Sequence, residues 1–287
     1  LFIVILIYSY CIDFNLAKIY ELILIQNFKG LFLFLFVITF LFLIGLYDDK
    51  YELKSTNKTI LLIIFIFIYV FHEESYQIKE LRSSYFDQSL LLGNFSIFFT
   101  IICIFSLLVA FNMFDGSNGQ SFFNFLAIFI FLFHKGLFAN ISSLFIFMLL
   151  IFALLNFRNK VFLGDNGVYF LSFLVSHLII LNYNNDKSIN AEEIVIILLI
   201  PVLDMIRLFV TRTYRGKNPF MPDTTHIHHL IQKKYKQLKL PYFFIFLIIL
   251  PLSILLFTNV NSYLIIFFQI FVYSYLVLSA KKIKINE

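Results

Sequence analysis

The chain has 287 residues, of which 61% are apolar or aromatic and 14% are charged, and its mean hydropathy is +0.90. Soluble domains carry about 45–50% apolar and about 25% charged residues, so a soluble fold, a disordered chain, a coiled coil and a free nucleic-acid-binding domain are excluded. The net charge of +5 speaks first to membrane topology and anionic head groups, and only then to anionic substrates.

The charged residues lie in short islands between apolar runs, the pattern of an all-α polytopic membrane protein. The runs predict ten spans at 1–12, 30–47, 59–71, 95–111, 121–134, 138–156, 168–182, 191–211, 241–258 and 262–280. Residues 1–12 lack the basic leader and cleavage site of a signal peptide and read as the tail of a membrane helix. The chain starts at Leu1 and its first methionine is Met113, so it is expected to be an N-terminally truncated piece of a longer product. Run 59–71 is shorter than the ~20 residues of a perpendicular span, which calls for tilt or shelter by neighbours. Cys11 and Cys103 sit inside apolar runs without ligand spacing and read as packing thiols. The mixed segment 75–94 suits a short β-hairpin or an interfacial stretch. No repeat or linker divides the chain, so residues 1–287 read as one membrane domain, a bundle of about ten transmembrane helices.

Two spans separate Asp48/Asp49 from Asp115, two more separate Asp115 from Asp165, and two more lead to the segment 212–240. All four polar islands are therefore expected on one face. Most of the 22 Lys and Arg residues fall on that face as well, and the positive-inside rule makes it cytoplasmic.

The first island is Gly45-Leu46-Tyr47-Asp48-Asp49-Lys50-Tyr51-Glu52, with Lys58 beyond it. Adjacent carboxylates at a span end repel each other and need a cation, whether a metal ion, Lys50 or Lys58. The second is Asn112-Met113-Phe114-Asp115-Gly116-Ser117-Asn118-Gly119, whose Asn and Asp oxygens are the hard donors Mg²⁺ prefers. The third runs from Asn156 to Gly167 and carries Asp165, which reads either as a helix-terminal carboxylate or as a metal ligand facing the second island. The fourth holds Asp204 and Arg207, spaced to pair on a helix, then Arg212, Arg215, Lys217 and the stretch Pro219-Phe220-Met221-Pro222-Asp223-Thr224-Thr225-His226-Ile227-His228-His229. In an extended loop His226 and His228 would share a face and His229 would turn aside. Oxyanion-binding donors fit these histidines better than zinc. Acids with amide oxygens suggest Mg²⁺, and cations with histidines suggest phosphates. Together they are the toolkit of phosphoryl transfer, here joining a soluble phosphate donor to a lipid phosphate acceptor.

These four motifs, in this order, resemble the polyprenyl-phosphate N-acetylhexosamine-1-phosphate transferases, the glycosyltransferase-4 group. Pro219-Phe220-x-Pro222-Asp223-x-x-His226-x-His228-His229 is the most specific element and is similar to the GlcNAc-type branch. The resemblance implies transfer of N-acetylhexosamine 1-phosphate from a UDP-sugar to polyprenyl (undecaprenyl) phosphate, releasing UMP and initiating cell-envelope polysaccharide synthesis. It implies Asp48 and Asp49 near the lipid phosphate and Asp115 on the catalytic loop. It implies Lys58, Asn118, Asn156, Arg207, His226, His228 and His229 in substrate binding, and Asn112 and Asp165 as Mg²⁺ ligands, with Mn²⁺ as an alternative metal. Asn118 stands where many relatives have Asp. The implied partners are UDP-N-acetylhexosamine, polyprenyl phosphate and the bilayer, with a homodimer as an open option and no nucleic acid. The implied location is a bacterial inner membrane with the site facing the cytoplasm.

An acceptor phosphate monoester, with a second pKa of ~6, is mostly dianionic at neutral pH and needs little general-base help. Asp48 or Asp49 is then expected to orient it or take a residual proton, and a two-step route through a phosphoryl-aspartate is the alternative. The rival functions are a secondary transporter and a catalytically inactive lipid- or nucleotide-binding relative. A transporter predicts charges near the bilayer midplane, whereas these motifs gather at one interface.

Overall fold

A computed structural model describes residues 28–86, 88–185, 188–220, 225–234 and 243–281. The run 1–12 with Cys11, the motif residues 221–224 and the lysines at 235–242 and 282–287 lie outside the described residues.

The chain runs as α1 (Phe28–Tyr51), α2 (Ser55–His72), the strands β1 (Glu80–Leu81) and β2 (Leu90–Leu91), then α3 (Ser96–Phe114), α4 (Gln120–His134), α5 (Ala139–Asn156), α6 (Gly164–Asn185), α7 (Ala191–Tyr214), α8 (Ile227–Lys234), α9 (Leu250–Phe257) and α10 (Ser262–Lys281). Nine of the ten expected spans coincide with helices, and the tenth is the undescribed run 1–12. Seven helices among the described residues, α1, α2, α3, α5, α6, α7 and α10, are long and apolar enough to cross a membrane. The weak run 59–71 is one of them, because the helix begins earlier, at Ser55.

The other two apolar helices are shorter, for identifiable reasons. At 1.5 Å per residue, the 15 residues of α4 span roughly 22 Å, less than the ~30 Å hydrocarbon core. This helix is largely buried, with Phe125 stacked on Phe111 at 4.7 Å and Phe129 on Phe145 at 4.8 Å between ring centroids. It is an interior filler sheltered by α3 and α5. Leading into α9 is a π-helical turn, Ile245–Ile249. Pro251 follows it and has no N–H to donate to the preceding turn.

The centre of the bundle is α6, which packs against α1 and α3; α3 also meets α7, and α7 meets α10. Its interior place follows from its composition. It carries Ser172, Ser176, His177 and Asn182, all buried, and polar groups in a membrane segment are placed toward the protein interior, where they find partners. His177 Nδ1 bonds the Tyr69 hydroxyl of α2.

The segment 75–94 forms the short antiparallel hairpin, with Glu80 opposite Leu91 and Leu81 opposite Leu90. It is fastened to three helix ends. The Arg82 guanidinium lies over the Tyr183 ring at 4.1 Å, and the Arg82 N–H donates to the Tyr183 hydroxyl at 2.5 Å. Glu192 at the start of α7 accepts the Ser84 N–H at 2.8 Å. At the start of α10, the Ser262 N–H donates to the Tyr85 hydroxyl at 2.9 Å. Asn190 and Glu193 close a capping box at the same end of α7.

Candidate active site

The opposite end of the bundle gathers the polar islands. Helix α1 stops at Tyr51 because Glu52 adopts φ +50°, and the chain reverses into α2. Lys58, in the first turns of α2, thereby swings back over α1. Its Nζ donates to Asp48 Oδ2 at 2.5 Å and to Asp165 Oδ2 at 2.9 Å, and it lies 5.8 Å from the centre of the Tyr169 ring. The other oxygen of Asp48 accepts the Leu53 N–H at 2.7 Å, which holds the reversal.

Asp49 faces a different partner. Its carboxylate accepts the N–H of Asp165 at 2.9 Å and of Asn166 at 3.4 Å, capping the N-terminus of α6 from another helix. Two glycines make room for this. A Cβ on Gly45 would overlap the backbone of Asp165 and Asn166, and one on Gly164, which has φ +68°, would press on Asp49 Oδ2 at 2.7 Å.

Asn112, in the last turn of α3, brings its side-chain amide beside the Asp165 carboxylate. Three residues on, Asp115 ends α3 and accepts a bond from the Ser121 hydroxyl. Burial, with the charge of Asp49 added to it, pushes the Asp115 carboxyl up to about 6 despite that bond. Lys58 thus holds Asp48 and Asp165 together, while Asp49 at the start of α6 and Asp115 at the end of α3 add further negative charge nearby. Among the described residues no three His, Cys, Asp or Glu side chains form a ready-made metal cage. The hard oxygens of Asn112 and Asp165, side by side among excess carboxylates, nonetheless suit Mg²⁺, which usually takes one or two protein carboxylates and completes its shell with water and substrate phosphate.

The loops around this cluster are braced by amides. Asn156 accepts the Gly119 N–H at 2.8 Å and donates to the Val161 carbonyl at 2.9 Å, so its side chain ties the second island to the third. Asn118 bonds Asn159. Both amides, expected to contact substrate, are turned to protein partners.

The fourth island corrects the extended-loop expectation for the histidines. Ile227 starts α8, so His228 and His229 lie in its first turn and His226 just precedes it. All three rings cluster: His226 and His228 are stacked at 5.5 Å, and His228 and His229 have centroids 4.1 Å apart. His229 does not turn aside, because a helical turn keeps residues 226 and 229 on one side. The His228 ring lies against the backbone of Gly116, joining the fourth island to the second. Burial first, then the neighbouring His229 and His226, depress its pKa to about 3, so the ring is neutral at pH 7. Arg207, expected to meet substrate, is bound to Asp204 at 2.7 Å, to the Tyr273 hydroxyl at 2.9 Å and to the Thr225 carbonyl at 2.8 Å. Tyr273, Ser121 and Asn159 are absent from the residues the sequence singles out for chemistry. The Asp204–Arg207 pair, by contrast, is the i,i+3 spacing read from the sequence.

All four islands are therefore linked by direct contacts at one end of the bundle. Comparison with known proteins bears on what this end is. The sequence profile of glycosyl transferase family 4 matches residues 31–183, more than half of the chain. The chain belongs to glycosyl transferase family 4. The match takes in three of the four islands.

Individual relatives agree. The chain is 29% identical over 202 residues to the undecaprenyl-phosphate alpha-N-acetylglucosaminyl 1-phosphate transferase of Yersinia pestis, 27% over 206 residues to that of Salmonella typhi, and 29% over 203 residues to that of Escherichia coli K12. Each alignment covers 66% of this chain and 55% of the relative, so this chain spans about half the length of the family members it matches.

Proposed function

We propose that this family 4 protein transfers N-acetylhexosamine 1-phosphate, most naturally that of N-acetylglucosamine, from its UDP-sugar to polyprenyl phosphate at the cytoplasmic side of a bacterial plasma membrane. The carrying observation is the contact of Asp48, Lys58, Asn112 and Asp165, with Asp49 and Asp115 beside them, at one end of a membrane-length bundle. The named relatives, all GlcNAc-1-phosphate transferases acting on undecaprenyl phosphate, support the choice of sugar and lipid.

In this reading an oxygen of the acceptor phosphate forms a bond to the sugar-bearing phosphorus of UDP-N-acetylhexosamine. The bond from that phosphorus to the bridging oxygen breaks, and UMP departs with the bridging oxygen. Lys58 holds the acceptor phosphate near Asp48, and Asp48 takes any residual proton. Asp49 fixes the start of α6 and thus the Asp165 carboxylate. Asn112 and Asp165 would hold Mg²⁺, or Mn²⁺ in its stead. The metal supplies charge neutralisation on the diphosphate. The histidine stack of α8 and the Asp115 loop receive the nucleotide sugar. Fixed charges placed where phosphate charge develops provide most of the rate.

The test is UMP release by purified full-length protein with UDP-N-acetylglucosamine, undecaprenyl phosphate and Mg²⁺. Chelation should abolish release, and Asp165→Asn should reduce it at least about 100-fold, as loss of a charged transition-state contact does. No release with any UDP-N-acetylhexosamine, or an Asp165→Asn variant as active as the parent, would overturn the reading.

A further inference from the structure

Asp204 lies inside α7 with 1% of its surface exposed, and a carboxylate buried that deeply persists only with partners on both oxygens. Oδ1 accepts from Arg207, at 2.7 Å from Nη2 and 3.2 Å from Nε, and from the Tyr273 hydroxyl of α10 at 2.7 Å. Oδ2 faces Nδ1 of His226 at 3.5 Å and the Ile227 N–H at 3.4 Å. Arg207 in turn donates to the Thr225 carbonyl at 2.8 Å. The backbone on both sides of His226 is therefore tied to one α7 pair. The two nitrogens of its ring also face groups of opposite character, the Asp204 carboxylate at Nδ1 and the Arg212 guanidinium, 3.5 Å away, at Nε2. The ring is thus flanked by the acid on one side and the guanidinium on the other.

We infer that Asp204 is a positioning residue which, braced by Arg207 and Tyr273, sets the location of His226 and so the seating of the three-histidine stack against Gly116. A plain ion pair within α7, tied to α10, would need only Asp204, Arg207 and Tyr273. The bonds to Thr225 and Ile227 aim the network at the histidine segment. The docking stands on the contacts alone, whereas its effect on substrate rests on the transferase reading above.

The experiment uses the full chain in lipid nanodiscs. Asp204→Asn keeps the size and an acceptor for Arg207, but loses the charge facing Nδ1. Its KM for UDP-N-acetylglucosamine should rise about tenfold, with kcat and the KM for undecaprenyl phosphate within about twofold, the pattern of lost binding on one substrate. Backbone amides of residues 225–231 should exchange with deuterium at least about tenfold faster while α10 is unchanged. Tyr273→Phe, which removes one donor to the carboxylate, should move the same KM by about threefold. An unchanged KM for the UDP-sugar in Asp204→Asn overturns the positioning role. So does an equal loss across kcat and both KM values with faster exchange throughout α7 and α10, which would mark fold support only. If the unaltered protein releases no UMP, the transferase reading fails, and the exchange data decide the docking: unchanged protection at 225–231 in Asp204→Asn overturns it.

Discussion

Asp48 and Asp49 are adjacent in the chain yet face different partners. Side chains of successive helical residues point about 100° apart, so one carboxylate meets Lys58 and the other meets the amides opening α6. The sequence marks both as acids in need of compensation. It cannot show that the compensation for Asp49 is a helix end more than 100 residues away. Asn156 is a similar case: its polar character was legible, but its two backbone partners depend on how two loops meet. His228 offers a direct measurement. Its folded pKa is depressed to about 3, while an unfolded histidine titrates near ~6.5. Between those values the unfolded chain binds a proton that the folded chain refuses, so stability is lost as pH falls below about 6.5, at up to ~1.4 kcal/mol per pH unit for one proton. Thermal unfolding in detergent from pH 7 down to pH 4.5 should show this decline, and His228→Gln should flatten it. Equal slopes for the two proteins would mean that the ring is solvated and not packed on Gly116.

At the scale of helices, hydropathy located the spans well because nearly every helix is apolar over its whole length. It was least informative about depth. Nothing local distinguishes α4, an interior helix shorter than the hydrocarbon core, from a lipid-facing span, since both are rich in Phe. The polar residues of α6 were the better guide, because Ser172, Ser176, His177 and Asn182 would be costly against lipid. The α1–α6 contact also depends on a missing side chain. Gly45→Ala would drive a methyl group into the backbone at Asp165 and Asn166. Overpacking of this kind costs about 1–3 kcal/mol, and it would displace the N-terminus of α6 from Asp49. The variant should unfold at a lower temperature and lose most UMP release. A Gly45→Ala protein with parental stability and turnover would mean that the two helices do not meet this closely.

The whole molecule has chemically distinct ends. One carries the four islands, and the other carries the hairpin and the capping box of α7. Reading the islands as one group from span parity alone succeeded, since an antiparallel bundle returns every second connection to the same end. The membrane sidedness expected from charge asymmetry has a simple check. In a background with Cys11→Ser and Cys103→Ser, a membrane-impermeant maleimide applied to intact cells should label Ser89→Cys in the hairpin. Lys160→Cys at the island end should react only after the membrane is opened. Labelling of both from outside would place the islands on the wrong side.

The hairpin itself has a mechanical consequence. Arg82, Ser84 and Tyr85 act as a buckle across the ends of α6, α7 and α10, so rods fastened there can splay only at their far tips. The far tip of α6 carries Asp165, and the far tip of α7 leads toward the histidine segment. On the transferase reading, a bulky anionic substrate meets the bundle at the end opposite this fastened rim.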